Sequence, residues 1–167
     1  MTLTVYQVTV PVFIRMLDNL AGILGKAAEH CTTRKIDPAA LIHARLYPDM
    51  FDLARQVQVA CDHARNGTAR LAGLEAPDME KTELTFAELI ERIRKTIAYL
   101  ETLRPEQFEG AETREITIKR GETTVTYPGL DYLLNRVLPN FYFHVTTAYD
   151  ILRHNGVELG KRDYLGR

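Results

Sequence analysis

The sequence predicts an all-α protein: a four-helix bundle with a short extra helix and a small β-hairpin between the third and fourth long helices. Four stretches carry apolar residues at three- and four-residue steps, the period of helices with one buried face. A single segment alternates apolar and polar residues, which is the period of a β-strand. No repeat, low-complexity tract or linker divides the 167 residues, so residues 1–167 are expected to form a single domain with its own core.

Caps and prolines mark the first two helical segments. The first helix is predicted to run from about Val10 to Glu29, with Thr9 as its N-cap and Pro11 in the first turn. A proline is tolerated there because the N–H that it lacks has no partner within the helix. A short helix is predicted next, with Asp37 as its cap and Pro38 at its first position. The apolar side of this short helix is expected to consist of Leu41, Ile42 and Leu46.

The second and third long helices carry similar signals. Pro48 is predicted to open the second helix, which ends near Asn66-Gly67, where glycine can adopt the left-handed cap conformation. Small residues are frequent on the apolar face of this helix, so a neighbouring helix can approach closely or space is left beside it. In the third helix, Thr85 and Glu88 have the spacing of a capping box, and Pro105 ends the helix.

The chain then changes period, and a β-hairpin is predicted before the last helix. The alternating apolar residues of the two strands are Ile116, Ile118, Val125 and Tyr127, on either side of a glycine turn at 120–122. The last helical pattern spans about Leu130 to His154 and is closed by Asn155-Gly156. Its apolar stripe continues through Pro139 and includes Leu130, Leu134, Val137, Phe141 and Val145. Because proline removes a helical hydrogen bond, either the helix kinks or a second helix begins at Pro139, and a kink is favoured.

Composition limits the classes of function. With 21 basic and 22 acidic residues, the chain lacks the basic excess that nucleic-acid binding requires. It has no run of about 18 apolar residues and no secretory signal pattern, so neither a membrane protein nor a secreted protein is expected. Cys31 and Cys61 suit free thiols in a cytoplasm better than a disulfide framework. The chain contains no serine and no phosphate-binding glycine motif, which excludes serine-nucleophile hydrolases and the common nucleotide-binding motifs.

Two histidines stand out because the helical period directs both toward the interior of the bundle. His144 follows Phe141 by three residues and precedes Ala148 by four, while Gln56 and His63 are seven residues apart and share a face. Inward imidazoles at facing positions are how helical bundles bind metals, although a pair of histidines provides few ligands for zinc. The alternative is a hydrogen-bonded core network whose members satisfy one another. That network would consist of Gln56, His63, Asn140, His144 and Thr147.

The order of the elements and the last helix resemble the DinB/YfiT-like superfamily of small helical bundles. The signature of this superfamily is a histidine on the second helix and His-x-x-x-His on the fourth, followed by a polar run, Leu-Arg and a glycine. The matching stretches here are Asn140 to His144, Val145 to Tyr149, Leu152-Arg153 and Gly156. The resemblance implies a divalent metal, zinc or nickel, with His63 and His144 as ligands. Asn140 replaces the first histidine of the pair, and an amide oxygen is a poor ligand for these metals.

Several further stretches are similar to one branch of that superfamily, a domain-of-unknown-function family found in bacteria and fungi. They reach nearly from end to end of the chain. These stretches are Pro48 to Phe51, Ala69 to Gly73, Pro139 to Tyr149, Leu152 to Val157, Gly160-Lys161 and Asp163 to Gly166. This resemblance implies the fold more directly than it implies an activity.

Two functional hypotheses follow, and whether the protein is an enzyme stays open between them. In the first, a polar pocket between the second and fourth long helices holds a small molecule, and a divalent metal there supports an enzyme similar to the thiol transferases of the superfamily. The pocket would be lined by Gln56, His63, Asn140, His144, Thr147 and Tyr149. In the second, the bundle has lost the metal and is a non-enzymatic ligand-binding or dimeric stress-type protein. The relatives imply a homodimer, which the consecutive aromatic residues 141–143 favour.

Overall fold

The four long helices of the structure, a computed structural model, are α1, α3, α4 and α6. The structure describes residues 3–166 and all of their side chains except that of Arg120. The helices are α1 (Val5–Arg34), α2 (Pro38–Ile42), α3 (Leu53–Leu71), α4 (Phe86–Thr102), α5 (Gly129–Tyr132), α6 (Leu138–His154) and α7 (Lys161–Leu165). A 3₁₀ turn at Pro105–Phe108 and a π-helical turn at Leu133–Val137 are joined to them. The strands β1 (Glu115–Arg120) and β2 (Thr123–Pro128) form an antiparallel hairpin.

The core lies where the apolar faces of the four long helices meet. α3 packs most extensively against α6, and α1 packs against α4. Residues that are fully removed from water come from every long helix, among them Phe13, Leu20, Leu53, Leu89, Ile93 and Phe141. The predicted all-α bundle with an appended hairpin is therefore confirmed, because one core contains buried apolar residues of all four long helices.

The first helix is longer than the sequence predicts at both ends. Thr4, not Thr9, is the N-cap, and it forms a capping box with Gln7. Thr9 is buried one turn into the helix, where its hydroxyl donates to the carbonyl of Val5 at 2.6 Å. Pro11 lies inside the helix on its exposed side. The prediction that Thr9 is the cap was wrong because two threonines compete as caps, and burial of Thr9 decides between them.

The second long helix also differs from its predicted bounds. It starts at Leu53, since the side chain of Asp52 accepts a hydrogen bond from the backbone N–H of Arg55 at 2.9 Å, and Pro48 lies in the preceding loop. It also continues through Gly67, which was expected to end it. A Cβ atom at Gly67 would lie 2.6 Å from a methyl group of Val137, so this glycine permits close helix packing. The left-handed glycine after the helix is Gly73, with φ of 71°.

The short helix, the third long helix and the hairpin match their predictions closely. Asp37 caps α2, and Thr85 forms a capping box with Glu88 at the start of α4. The hairpin pairs Ile116 with Tyr127 around a turn in which Gly121 has φ of 58°. One detail was wrong: Leu46 lies beyond α2 and is exposed, because the helix ends at Ile42.

The last helical pattern contains a π-helical turn immediately before Pro139. In this turn the backbone N–H of Leu138 donates to the carbonyl of Leu133, five residues earlier. The chain remains helical on both sides of the proline, and a π-helical turn of this kind is one of the usual causes of a helix kink. Because the turn holds an extra residue, the buried residues before it are Tyr132 and Leu133, while the predicted core residue Leu134 is 52% exposed. Leu130 was likewise expected in the core and is also exposed.

The helix α1 meets the length and composition criteria for a membrane span, which the sequence analysis did not anticipate. Its most apolar 18-residue window has a mean hydropathy of 1.4. Its inner face is occupied by core residues such as Phe13, Leu17 and Leu24, which are completely buried against the rest of the bundle. The apolar character of α1 is therefore used, on its inner face, in packing against the other helices of the bundle.

Candidate functional site

A hydrogen bond between α3 and α6 fixes the orientation of the His144 ring. The ring is 8% exposed, and its Nδ1 lies 2.7 Å from Oε1 of Gln56. The amide of Gln56 donates through Nε2 to the carbonyl of Phe51 at 3.2 Å, so its oxygen faces His144. An amide oxygen only accepts hydrogen bonds, and Nδ1 of His144 must therefore carry the ring proton. This leaves the lone pair of Nε2 free, as in histidines that bind metals or accept protons.

The ring of His63 lies against the ring of His144. Their centroids are 5.7 Å apart and their planes differ by 11°. The helical spacing predicted that the two imidazoles face each other across the bundle, and the structure places them in contact. Burial, together with the nearby charges of His63 and Arg55, lowers the pKa of His144 to about 4. Burial also lowers the pKa of His63, although Asp62 opposes this effect. Both rings are therefore neutral at pH 7.

Two phenylalanine rings complete the surroundings of His144. The ring of Phe51 is stacked at 6.4 Å, and the ring of Phe143 meets the imidazole edge-on at 5.2 Å. Both phenylalanines are partly in contact with solvent, Phe143 being 54% exposed. Within residues 3–166, the fully buried side-chain nitrogen and oxygen atoms without a partner belong to Arg65, Arg92 and Tyr99 only. Nε2 of His144 is not one of these atoms and makes no hydrogen bond to the described residues, so it is unpartnered without being completely buried.

The other predicted site residues lie on the same helix but bond elsewhere. Asn140 donates through its amide to the carbonyl of Arg136 at 2.6 Å, one turn back along the chain. The buried hydroxyl of Thr147 donates to the carbonyl of Phe143 at 2.7 Å. Tyr149 packs its ring against Tyr164 of α7, with centroids 6.0 Å apart. Of the five-residue hydrogen-bonded network that the sequence suggested, only the bond between Gln56 and His144 is present.

The donor set does not fit a resident zinc or nickel ion. In the described part of the chain, no group of three or more histidine, cysteine, aspartate or glutamate side chains is arranged to hold a metal. A tightly bound zinc ion needs at least three protein ligands, and this site offers two imidazoles. The amide of Asn140, at the position of the third ligand in the superfamily signature, is committed to the helix backbone.

A buried charge cluster next to His63 was not predicted from the sequence. Asp62 forms ion pairs with Arg65 at 3.2 Å, Lys81 at 2.9 Å and Arg92 at 3.0 Å. Arg92, whose side chain is 1% exposed, also pairs with Glu83 at 2.8 Å. The i, i+3 spacing of Asp62 and Arg65, and an arginine within the apolar stripe of α4, were the available signals. The cluster ties the loop between α3 and α4 to both helices.

The family of the chain follows from comparison with known proteins. A family model described as a domain of unknown function, DUF1993, matches residues 5–165. The chain belongs to the DUF1993 family. It is also similar to a crystal structure of a DinB family member protein from Shewanella denitrificans, with 44% identity and a TM-score of 0.89. That similarity covers 97% of this chain and 92% of the other. No curated protein matches the chain.

Both resemblances that the sequence suggested are thereby confirmed. The DUF1993 chain is a DinB-like bundle, and the end-to-end coverage agrees with motifs that reach from Pro48 to Gly166. Its site differs from the superfamily signature at Asn140, where the structure shows an amide bonded to its own helix. Family membership therefore establishes the fold, and the chemistry of the site depends on His63, His144 and Gln56.

Proposed function

We propose that this DUF1993 protein binds a small molecule at the paired imidazoles of His63 and His144, without a resident metal ion. The observation that carries the proposal is the hydrogen bond from Nδ1 of His144 to Gln56 at 2.7 Å. It fixes the ring so that Nε2 is an unpartnered acceptor between α3 and α6. The ligand would donate a hydrogen bond to this nitrogen from a hydroxyl, thiol or amine group.

The electrostatics around the two imidazoles support a role for Nε2 of His144 as a hydrogen-bond acceptor. Because burial lowers the pKa of both imidazoles, neither ring carries a positive charge at neutral pH. The rings of Phe51 and Phe143 provide apolar contact for the body of the ligand beside the polar acceptor. A few oriented polar groups with aromatic walls are typical of small-molecule sites.

Nuclear magnetic resonance of ¹⁵N-labelled histidine tests the proposal, with phenol as a hydrogen-bond donor and toluene as a matched probe that lacks the hydroxyl. Phenol is expected to move the His144 ring signals saturably at pH 7, and toluene is expected to leave the Nε2 signal in place. His154→Gln, at an exposed histidine in the last turn of α6, should bind phenol like the native protein. Equal shifts with phenol and toluene would show that Nε2 accepts no hydrogen bond.

Metal content tests the other half of the proposal. Native protein dialysed against zinc and nickel is expected to retain neither ion stoichiometrically, whereas Asn140→His, which supplies a third imidazole, should retain one per chain. Stoichiometric metal in the native protein that is lost in His144→Ala would instead support the metal-dependent enzyme. That alternative, with an activity similar to thiol transferases, is favoured only by the free Nε2 beside a second imidazole.

The predicted homodimer remains a prediction with one observation in its favour. Of the three consecutive aromatic residues, Phe141 is buried in the core and Phe143 is 54% exposed beside the site. We propose that a second copy covers this ring, and light scattering with Phe143→Ser compared with native protein tests it. A native monomer at all concentrations would remove the idea.

The cytoplasmic location also remains a prediction. Cys31 and Cys61 are both buried and both free thiols, which agrees with a reducing compartment. We propose this location for the protein, and fractionation of cells that express it is the test.

A further inference from the structure

A cavity of about 400 Å³ lies at the start of α3, and it shares Phe51 with the surroundings of His144. We call it the Arg55 cavity. Its walls come from the end of α2, the loop before α3, the first turns of α3 and Glu83 of the following loop. Phe51 is shared with the imidazole site, since it lines the cavity and its ring is stacked with His144.

The two carboxylates in the walls of the cavity are already neutralised. Asp52 accepts a hydrogen bond from the backbone of Arg55 through Oδ1, while Oδ2 lies 3.4 Å from Nδ1 of His43 and 3.9 Å from Arg45. Glu83 pairs with Arg92 at 2.8 Å through one oxygen and accepts from Gln58 at 3.0 Å through the other. Neither acid is therefore free to serve as a counter-ion for another cation.

Arg55 lines this cavity and has no carboxylate partner among the described residues. Across the described residues, no carboxylate forms an ion pair with its guanidinium group, whereas Arg45 is paired with Asp52. Its one side-chain hydrogen bond is a long one, 3.4 Å, to Oε1 of Gln58. The guanidinium lies 5.4 Å from the centre of the Phe51 ring. Arg55 is therefore a half-buried cation that lies beside an aromatic ring in a cavity, and this arrangement suits the binding of an anion.

We infer that the Arg55 cavity binds a small organic carboxylate, with Arg55 as the counter-ion and Phe51 against the apolar part of the ligand. A planar guanidinium offers two parallel N–H donors, which match the two oxygens of a carboxylate. The exposed aromatic ring gives an organic anion contact that inorganic phosphate does not use. The charge of Arg55 also contributes to the lowered pKa of His144, so an anion bound to Arg55 will change that pKa.

The test is a titration of ¹⁵N-labelled protein with benzoate, benzyl alcohol and inorganic phosphate at constant ionic strength. Benzoate is expected to shift the backbone amide signals of residues 51–58 saturably, and the two other probes are expected to bind much more weakly. Arg55→Gln should weaken benzoate binding about tenfold or more, because a hydrogen bond to a charged group is lost. Arg94→Gln removes the same charge from an exposed position outside the cavity and should bind benzoate like the native protein.

Four results would overturn the inference. Benzoate binding that is unchanged in Arg55→Gln would show that Arg55 is not the counter-ion. Equal affinities for benzoate and benzyl alcohol would show an apolar site without anion recognition, and equal affinity for phosphate would show a general anion site. Loss of benzoate binding in His144→Ala with retention in Arg55→Gln would move the ligand to the imidazole pair. Circular dichroism of each variant shows whether the fold is intact.

Discussion

Replacing His144 with glutamine is predicted to remove a large part of the pH dependence of stability. The fold favours the neutral ring, because burial holds the pKa of His144 at about 4. The unfolded chain binds the same proton at about pH 6.5, the ordinary value for histidine. Unfolding is therefore coupled to proton uptake by this ring when the pH lies between about 4 and about 6.5.

The size and sign of the effect follow from this difference. Because the folded pKa is the lower one, the stabilisation is fully present above about pH 6.5 and is lost as the pH falls toward 4. The complete loss corresponds to about 3 kcal/mol of unfolding free energy, of which about 2 kcal/mol is lost between pH 7 and pH 5. His63, whose pKa burial also lowers, adds a loss of the same sign in native protein and variant alike.

Urea unfolding at pH 7 and pH 5 measures the effect. The native protein should lose about 2 kcal/mol more unfolding free energy between the two pH values than His144→Gln does. His154→Gln, at an exposed position of the same helix, should behave like the native protein. If native protein and His144→Gln lose the same unfolding free energy between pH 7 and pH 5, burial does not hold the His144 ring neutral and the prediction is wrong.

Three further predictions concern packing and the thiols. Gly67→Ala should destabilise the protein by about 1–3 kcal/mol in chemical denaturation, because the new methyl group would lie 2.6 Å from Val137. Gly22→Ala is the control, since its methyl group has no neighbour within 4 Å, and it should stabilise the protein by up to about 1 kcal/mol. Arg92→Gln should cost about 3–5 kcal/mol in the same assay, because Glu83 loses the arginine with which it forms its ion pair and Asp62 loses one of its three cationic partners. A cost near that of a surface variant would contradict this. Cys61 is fully buried and its pKa is raised to about 12, so iodoacetamide at pH 8 should modify it only after unfolding.

The spacing of apolar residues predicts the bundle well because burial on one face is a property that each helix carries locally. The same spacing places His63 and His144 on facing surfaces, and their rings meet at 5.7 Å. The bounds of the helices are harder to predict, because Thr4 and Thr9 are equally good caps until the core decides which is buried. The cluster around Asp62 depends on a loop that returns along α3, and no local pattern specifies that path.

The π-helical turn explains why Leu134 is not in the core as predicted and why Asn140 bonds to the backbone of its own helix. An extra residue in one turn changes which side chains face inward before the turn and leaves the period after it unchanged. Phe141, His144 and Ala148 therefore keep their predicted inward positions, while Leu134 does not. Asn140 follows the turn and bonds to the carbonyl of Arg136, so a histidine placed there gives up a backbone contact to gain a ligand position. The amide of Asn140 thus bonds to its own helix, and Nε2 of His144 is the nitrogen to which the proposed ligand would bind.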